Sequence, residues 1–307
     1  MPTRPFGRTG LQVPLLGFGA MQIGDPAIGE DAASRLLHHV LDRGLTLIDT
    51  ARSYGIAEER IGRHLAARRD EFVLSTKVGY GVPGVPDWTY ECIVRGVDAA
   101  RDRLRTDVID IVHLHSCGLE ILHAGEVTRA LVRCVERGIV RVAAYSGDGE
   151  PLRYAITSHA SAEEVAQRAG EGSAFHGVQA SVNLCDQEAL DAFAVARQRG
   201  LGTIAKRSLA GRPWVGGPSG DAVHDEYRRR YAAMRPDLPV SVEDWDAFAL
   251  RFVAFAPNVD CVIVGGIDAA NVDRNVAAIS AGPLTMAERA AVTAAYGAPG
   301  RRWGGLV

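Results

Sequence analysis

The sequence lacks the features by which several classes of protein are recognised. Its 307 residues contain no uncharged apolar run of about 18 residues, the length that a membrane span needs. The opening MPTRPFGRTG has no apolar core of a secretory signal. A net charge of −3, without blocks of Lys or Arg, argues against binding to nucleic acid. We therefore expect a cytoplasmic protein with neither a membrane nor a nucleic-acid partner.

Cysteine is also scarce, with five residues scattered along the chain and no CxxC pair. An odd, dispersed set is a poor disulfide framework and is typical of reduced thiols in a protein core. The sequence therefore predicts that the fold is held by its hydrophobic core, for which apolar residues, 47% of the chain, provide ample material.

The sequence does contain a regular alternation of short aliphatic runs and amphipathic stretches, which is typical of a parallel sheet covered by helices. Residues 6–13 predict a hairpin with its turn at 7–10. The later runs predict eight strands, at 15–19, 45–49, 72–77, 108–115, 141–146, 178–183, 202–206 and 262–265. Helices are predicted at 31–42, 58–68, 90–104, 126–137, 250–256 and 269–280.

Eight strand–helix units are the number that closes a TIM barrel. No linker divides the chain, so we predict one (β/α)8 domain over residues 1–307, with an amino-terminal hairpin and long loops at the carboxyl-terminal face. The Gly/Pro-rich stretch 211–220 is interpreted as part of a long loop after the seventh strand, and residues 297–307 as an irregular tail.

Ionisable residues stand at the carboxyl ends of three neighbouring strands, where TIM barrels place their catalytic groups. Asp49 ends the second strand and Tyr54 follows it, Lys77 ends the third, and His113 and His115 end the fourth. A phenol is a weak acid that a nearby ammonium assists, a carboxylate keeps the ammonium charged, and an imidazole can bind the same substrate oxygen. Such a set can protonate the oxygen of a carbonyl group that accepts hydride from a cofactor.

Each of these residues also fits a structural role when taken alone. Asp49 and Lys77 could form an ion pair without catalytic function, Tyr54 could be a loop residue, and His113 could be a hydrogen-bonded histidine inside the barrel. The order of the whole set along consecutive strands is what favours catalysis.

At these positions the sequence strongly resembles the aldo-keto reductases. The run Leu-Ile-Asp49-Thr-Ala-Arg-Ser-Tyr54-Gly matches the family's Asp, four residues, then Tyr-Gly, and Ser-Thr-Lys77 matches its third-strand lysine. The run Asp-Ile-Val-His113-Leu-His115 makes His115 the catalytic histidine. The resemblance extends over almost the whole chain. It implies reduction of an aldehyde or ketone by NAD(P)H, with Tyr54 as proton donor, assisted by Lys77 and Asp49, and with His115 orienting the carbonyl.

The resemblance also implies a cofactor site, with NADPH as the family's usual cofactor. Ser146 and Gln179 would hold the nicotinamide carboxamide, and Lys206 or Arg207 would stand where relatives stack an aromatic ring on the nicotinamide. The remaining implied cofactor residues are Gly19, Met21, Asp49, Ser208, Leu209, Gly265, Arg274 and Asn275.

The sequence departs from the family pattern at several of these places. Gly147 follows Ser146 where an Asn is usual. Residues 265–268 contain no basic side chain and end in Asp268, which would repel a 2′-phosphate, and Asn271 stands where many relatives have Arg. Arg274 is then the remaining phosphate ligand, and NADH stays possible. Ser116 and Cys117 replace the usual aromatic residue and Pro after His115, which alters the wall of the substrate pocket.

The substrate is expected to be a small carbonyl compound, and the reaction could also run as alcohol oxidation. Tyr54 and His115 would contact it, and Trp88, Trp214 and Trp303, with Tyr80, are candidate apolar walls that could equally cap the barrel. The sequence indicates neither the substrate's identity nor the oligomeric state.

Two other functions remain open at the level of sequence. His113 and His115 lie on one face of a strand, as in metal-dependent barrel hydrolases, but a catalytic metal site needs a third ligand. Some aldo-keto reductase relatives instead serve as cofactor-binding regulatory subunits of membrane channels, and the four catalytic-type residues do not exclude that function.

Overall fold

The computed structural model describes residues 1–157, 175–217, 220–238, 245–300 and 303–306. Eight parallel strands form a closed barrel, and a two-stranded antiparallel sheet precedes it. The strands are β1 (Thr3–Pro5), β2 (Gln12–Pro14), β3 (Leu16–Gly19), β4 (Leu47–Asp49), β5 (Val73–Val78), β6 (Ile109–His115), β7 (Val140–Ser146), β8 (Gly177–Ser181), β9 (Gly202–Lys206) and β10 (Cys261–Gly265).

Helices cover the outside of the barrel, as the alternating pattern predicts. The α-helices within the described ranges are α1 (Glu30–Asp42), α2 (Ala57–Leu65), α3 (Tyr90–Leu104), α4 (Leu119–Ala124), α5 (Glu126–Glu136), α6 (Gly149–Thr157), α7 (Ala189–Gln198), α8 (Ala222–Met234), α9 (Trp245–Ala254), α10 (Ala269–Ser280) and α11 (Met286–Gly300). In this part of the chain, no helix has both the length and the apolar character that crossing a membrane requires.

The barrel closes in sequence order from β3 to β10, and β10 pairs with β3. Val262 lies opposite Leu16, and Gly265 lies opposite Gly19. Within the barrel, closure pairs each of the eight strands on both sides, which removes the usual route to edge-to-edge aggregation there. It also brings the carboxyl ends of all eight strands to one rim, where a site can be assembled.

The hairpin of β1 and β2 covers the amino-terminal end of the barrel. Phe6 is fully buried there, and Gly177 and Gly202 leave the space for its ring. A Cβ at Gly202 would lie 2.3 Å from the Phe6 ring, and one at Gly177 would lie 2.7 Å from it. Phe6 packs in one cluster with apolar side chains from β2, β4, β6, β7, β9 and β10, namely Val13, Leu47, Ile111, Val142, Ala144, Ile204, Cys261 and Ile263.

The predicted strands are confirmed in number and order, and each end lies within two residues of its prediction. Two loops are more regular than expected. The loop after β6 contains α4, and the long loop after β9 contains α8, which buries Tyr227, Tyr231 and Met234 on one side. Residues 218–219 and 239–244 of that loop lie outside the described residues.

The prediction of an irregular tail from residue 297 is wrong for its first four residues, because α11 continues to Gly300. The helix is rich in Ala, the strongest helix former, and it continues through Gly297 and Pro299. Beyond it, residues 303–306 have no regular secondary structure, as expected. All five cysteines are buried and free.

Candidate active site

The catalytic-type residues lie on adjacent strands at the carboxyl-terminal rim. Asp49 is level with Ser75 in the β4–β5 pair, and Lys77 is level with His113 in the β5–β6 pair. Because alternate residues of a strand share a face, Ser75 and Lys77 point the same way, as do His113 and His115. The barrel thus gathers all five side chains on its inner face.

Lys77 and Asp49 form an ion pair in the barrel interior, with both side chains at most 2% exposed. The ammonium donates to Asp49 Oδ2 at 2.5 Å and to the carbonyl of Thr50 at 2.8 Å. Burial alone would lower the pKa of Lys77 and raise that of Asp49. Burial is the largest single influence on each group, but the attraction between the two charges, together with their hydrogen bonds and the other neighbouring groups, outweighs it, so the pKa of Lys77 is raised and that of Asp49 is lowered. Both groups are therefore charged at neutral pH.

A hydrogen-bond network holds the other oxygen of the Asp49 carboxylate. Ser75 Oγ donates to Asp49 Oδ1 at 2.7 Å, and Gln179 Nε2 donates to it at 3.0 Å. Since the single Ser75 proton goes to the carboxylate, His113 Nε2, 3.1 Å away, donates to Ser75. Burial lowers the pKa of His113 to about 4, so this imidazole is neutral. His113 therefore acts as a hydrogen-bond partner inside the barrel.

Tyr54 lies directly beside the ion pair, with Lys77 Nζ 4.8 Å from the centre of its ring. The loop that carries it is tightly turned, since Tyr54 N donates to Ala51 and Ala57 N donates back to Tyr54 O. Gly24 makes this turn possible, because a Cβ there would lie 1.8 Å from the Tyr54 carbonyl oxygen. The sequence contains no local signal for this contact, which joins residues 30 positions apart.

His115 completes the group, and its ring lies edge-on to Tyr54 with 6.0 Å between ring centres. Burial, reinforced by the charges of Lys77 and Lys206, lowers the pKa of His115 to about 3. Its Nδ1 lies 2.9 Å from the hydroxyl of Tyr80. His115 is therefore neutral at physiological pH, and one of its nitrogens is already engaged by the protein.

The residues predicted to hold the nicotinamide carboxamide meet at the neighbouring strand ends. Ser146 and Gln179 are level in the β7–β8 pair, both are fully buried, and Ser146 Oγ donates to Gln179 Oε1 at 3.0 Å. Each keeps further capacity, since the hydroxyl and the amide oxygen can accept again and the amide has a second N–H. This donor and acceptor set fits a carboxamide.

Two further observations fit a nucleotide at this rim. The backbones of Gly19 and Gly265 run side by side without side chains, and a Cβ at Gly265 would lie 2.2 Å from the Gln22 side chain. Ser208 Oγ is buried and has no hydrogen-bond partner in the part of the chain that the structure describes. An unpaired buried hydroxyl is costly in a folded protein unless a ligand satisfies it. Met21, by contrast, is 53% exposed.

Gly147 directly follows Ser146 at the end of β7, and the structure gives a physical reason for a glycine there. A Cβ at Gly147 would lie 2.4 Å from the hydroxyl of Tyr145. That hydroxyl donates to the carbonyl of Cys117 at 2.9 Å and thereby ties β7 to the loop after β6. A side chain at position 147 would displace it.

Lys206 and Arg207, the candidates for stacking on the nicotinamide, both have partners in the protein. Lys206 Nζ lies 3.5 Å from Asp148, whose carboxylate also accepts from the backbone and hydroxyl of Ser181. Burial, only partly offset by Asp148, lowers the pKa of Lys206. Arg207 donates to the carbonyl of Leu306 at 2.6 Å, and Leu209 lies half-buried two residues further on.

The tail segment Trp303–Leu306 crosses this side of the rim and is bound mainly through its backbone. Arg230 donates to the carbonyl of Gly304, and Arg207 and Ser181 donate to that of Leu306. The amides of Gly305 and Leu306 donate to Glu188 and Asp186. Trp303 itself packs against the guanidinium of Arg230 and the ring of Tyr296.

At the predicted adenosine end, Arg274 is exposed and donates to the side chain of Asn271. Asn275 follows on α10. Asp268 caps the same helix, because its carboxylate accepts from the amide of Ala270 at 2.9 Å. Arg274 therefore stands near two anionic side chains of the same helix, Asp268 and Asp273, of which Asp273 is paired with Arg43.

The three tryptophans proposed as substrate walls have different surroundings. Trp88 lies in the loop after β5, with its ring 5.7 Å from that of Tyr80, a neighbour of His115. Trp214 packs against Trp245 and Tyr231, and its indole N–H donates to Asp246, so these partners belong to α8 and α9 rather than to the strands that carry Asp49, Lys77 and His115. Trp303 belongs to the tail described above. Trp88 is thus the tryptophan that the structure brings next to the catalytic group.

Sequence reasoning missed several residues that complete the site. Ser75 could have been found from its two-residue spacing to Lys77 on one strand face. Thr50 contributes a backbone carbonyl, and Asp148 pairs with Lys206 through a loop contact, for which the sequence has no pattern. Tyr80 was recognised only as an apolar wall, whereas its hydroxyl contacts His115.

No group of three or more His, Cys, Asp or Glu side chains within the described ranges is arranged to hold a metal ion. His113 is fully buried and bonded to Ser75, and Cys117 is buried. A cavity of about 560 Å³ does exist at the opposite end of the barrel, lined in part by Gln12, Arg69 and Arg141. That end of a TIM barrel serves stability rather than catalysis.

Comparison with known proteins agrees with this geometry. The family model described as the aldo/keto reductase family matches residues 15–296, so the chain belongs to this family of oxidoreductases. Aldo-keto reductases use NAD(P)H. The fold is similar to the holo form of an aldo-keto reductase from Bacillus halodurans, with a TM-score of 0.78, 26% identity and 96% of each chain covered.

Two sequence relatives are similar over most of the chain. L-galactose dehydrogenase from Arabidopsis thaliana is 25% identical, with 90% of this chain and 88% of that protein covered. A probable voltage-gated potassium channel subunit beta, also from Arabidopsis thaliana, is 26% identical, with 92% and 93% covered.

Proposed function

We propose that this protein transfers hydride between a nicotinamide nucleotide and the carbonyl carbon of a small polar aldehyde or ketone, with Tyr54 as the proton donor. The observation that supports this most strongly is the meeting of Tyr54, His115 and the Lys77–Asp49 pair at one point of the rim. Lys77 Nζ is 4.8 Å from the Tyr54 ring centre and 2.5 Å from Asp49.

Each side chain has a defined task in this proposal. Tyr54 gives its phenolic proton to the substrate oxygen, and the ammonium of Lys77 stabilises the tyrosinate that remains. Asp49 fixes the ammonium, and neutral His115 donates an N–H hydrogen bond to the same oxygen. When bound, the nicotinamide nucleotide supplies the hydride. The side chains of Ser146 and Gln179 would hold it, together with the adjacent backbones of Gly19 and Gly265.

For the substrate, we propose an aldose or a similarly hydroxylated carbonyl compound, acting in either direction of the reaction. Ser116, a small polar residue, follows His115 directly, and its hydroxyl donates to the carbonyl of Ser146 at 3.2 Å. Tyr80 and Ser53 add two hydroxyls on the other side of His115. A polar rim of this kind suits a sugar, and one relative is named as a dehydrogenase of L-galactose.

For the cofactor, we propose NADPH, with Arg274 as the cation that faces the 2′-phosphate. The negative charge of Asp268 would repel the 2′-phosphate and so favours NADH. The affinities for NADPH and NADH are therefore compared directly by titration of intrinsic tryptophan fluorescence. Tighter binding of NADPH that is lost in Arg274→Met, with NADH binding unchanged, is the expected result. Tighter binding of NADH by the wild type would contradict the assignment.

The decisive test is Tyr54→Phe, which removes one hydroxyl and keeps the ring beside Lys77. We expect turnover of an aldose to fall by about 10²- to 10⁴-fold, the usual contribution of a positioned acid, with unchanged cofactor affinity. Tyr90→Phe is the matched control, because Tyr90 is 41% exposed and lies outside the proposed catalytic group. Wild-type rates in Tyr54→Phe would refute the proposed role.

A second candidate, a regulatory subunit of a membrane channel, is favoured by one observation, the similarity to a probable potassium channel beta subunit. A regulatory subunit should bind the nucleotide, show negligible turnover across a panel of aldoses, aldehydes and ketones, and form a stable complex with a membrane protein. Turnover that depends on Tyr54 favours the enzyme instead.

A further inference from the structure

Tyr80 holds His115 by two different contacts. It lies two residues beyond the end of β5, and its hydroxyl is 2.9 Å from His115 Nδ1. The two rings are also stacked, with their centres 5.5 Å apart and an interplanar angle of 21°. The stacking contact fixes the position of the imidazole, and the hydrogen bond engages its Nδ1 atom.

Tyr80 also contacts a second aromatic ring. The ring of Trp88 lies 5.7 Å from that of Tyr80. Gly79 admits this arrangement, since a Cβ there would lie 2.0 Å from the Trp88 indole. The Trp88 amide donates to the Gly79 carbonyl at 2.7 Å. The Tyr80 ring thus contacts both an indole and an imidazole, which argues for a fixed phenol.

The proton positions follow from the hydrogen-bonding capacity of the groups. A neutral imidazole has one donor and one acceptor nitrogen, and a phenol has a single proton. The Tyr80 oxygen is 3.2 Å from Ser53 Oγ and 2.9 Å from His115 Nδ1. The contact between Tyr80 and Ser53 joins two hydroxyls, either of which can donate. An imidazole nitrogen is a stronger base than an alcohol oxygen, so the phenolic proton goes to His115 Nδ1 in preference to Ser53 Oγ, and the Ser53 proton then completes the pair of hydroxyls. The imidazole proton then resides on Nε2.

We propose that Tyr80 is a positioning residue that fixes His115 as its Nε2–H tautomer and so presents an N–H donor to the substrate oxygen. The tautomer rests on the contacts above, whereas its catalytic consequence rests on the proposed function. Without the Tyr80 hydroxyl, either nitrogen could carry the proton, and part of the population would present a lone pair to the oxygen.

The test compares Tyr80→Phe, which keeps the stacked ring, with Tyr90→Phe as the control. The protein is labelled with ¹⁵N-histidine, and the two ring-nitrogen shifts of His115 are assigned among the nine histidines by their loss in His115→Gln. We expect a protonated Nε2 and an unprotonated Nδ1 in the wild type and in Tyr90→Phe, and a mixture of tautomers in Tyr80→Phe. A protonated Nδ1 in the wild type, or an unchanged tautomer in Tyr80→Phe, would overturn the inference.

Kinetics provide the second measurement. Tyr80→Phe is expected to lower kcat/KM for a carbonyl substrate by about 10-fold, the effect of one hydrogen bond of roughly 1.4 kcal/mol, and to leave cofactor affinity unchanged. Unaltered kcat/KM would contradict the positioning role. A wild-type protein without turnover would contradict the proposed function, while the NMR result would still decide the tautomer.

Discussion

At the scale of single residues, loss of the Lys77–Asp49 ion pair should lower the free energy of unfolding strongly. Both charged groups are buried and form an ion pair with each other. The Asp49 carboxylate also accepts hydrogen bonds from Ser75 and Gln179. Removal of one partner leaves an uncompensated charge inside the barrel. Such a defect is far more costly than the loss of an exposed ion pair.

We therefore expect Lys77→Met to lower the free energy of unfolding by about 3–5 kcal/mol at neutral pH. The control is Arg133→Met, which breaks an ion pair to Glu136 in which both side chains are more than half exposed, and it should cost less than about 1 kcal/mol. Urea denaturation of both variants measures the difference. Equal stability of the two variants would show that the buried pair does not carry this energy.

The pH dependence of this pair follows from the direction of its pKa shifts. The pKa of Asp49 is lowered, so its contribution is complete above the unfolded value near 3.8 and is lost as the pH falls through the folded pKa. The pKa of Lys77 is raised, so its contribution is complete below 10.5 and is lost as the pH rises through the folded pKa. The stability gap between wild type and Lys77→Met should therefore be widest between about pH 4 and 10.

The four catalytic-type residues could be predicted because each stands at or just beyond a strand end, and strand ends can be recognised in the sequence. The partners that orient them could be predicted only in part. Ser75 shares the face of Lys77 on one strand, but Tyr80 reaches His115 from a loop, and Asp148 reaches Lys206 in the same way. Such contacts depend on how loops fold over the rim, for which the sequence has no periodic pattern.

At the scale of elements, the hairpin is the feature that links local sequence to barrel geometry. Phe6 fills the amino-terminal end because β8 and β9 each begin with a glycine beneath it. The sequence predicted the hairpin from its turn residues, yet not the contact with Gly177 and Gly202, which lie far along the chain.

This contact predicts that Gly202→Ala destabilises the protein by about 1–3 kcal/mol, the usual cost of overpacking a core. The control is Gly217→Ala, where an added Cβ meets no atom within 4 Å. Thermal unfolding compares the two. Replacing Phe6 with Leu in the Gly202→Ala background should recover part of the loss, and the absence of any recovery would place the cause elsewhere.

Strand positions were predicted well because the strands are short aliphatic runs between turn residues. The helices in loops were harder to predict from sequence. α8 begins after a capping Asp221 but carries few apolar residues, so its buried face consists largely of Tyr227, Tyr231 and Met234. α11 contains Gly297 and Pro299, which normally mark irregular chain, and its Ala-rich sequence outweighs them.

At the scale of the whole molecule, the tail joins the last residues to strand ends and helices that are distant in sequence. Truncation after Gly300 removes five hydrogen bonds to residues 304–306 and the packing of Trp303. We expect a loss of about 1–3 kcal/mol in the free energy of unfolding, because the ordering of the tail offsets part of the gain. The measurement is urea denaturation.

The control for this truncation is Gly304→Ala, since an added Cβ there meets nothing within 4 Å and the backbone bond to Arg230 remains. It should match the wild type. A truncated protein as stable as the full chain would show that the tail is not part of the cooperative fold.

The protein binds this tail through amide and carbonyl groups, which every residue type except proline possesses in full. Substitutions at positions 304 and 306 can therefore accumulate without loss of these bonds. An insertion of one residue after Trp303 would instead shift each amide and carbonyl past its partner at once. Such an insertion is therefore expected to cost more stability than a substitution at position 304, where an added Cβ meets no atom within 4 Å.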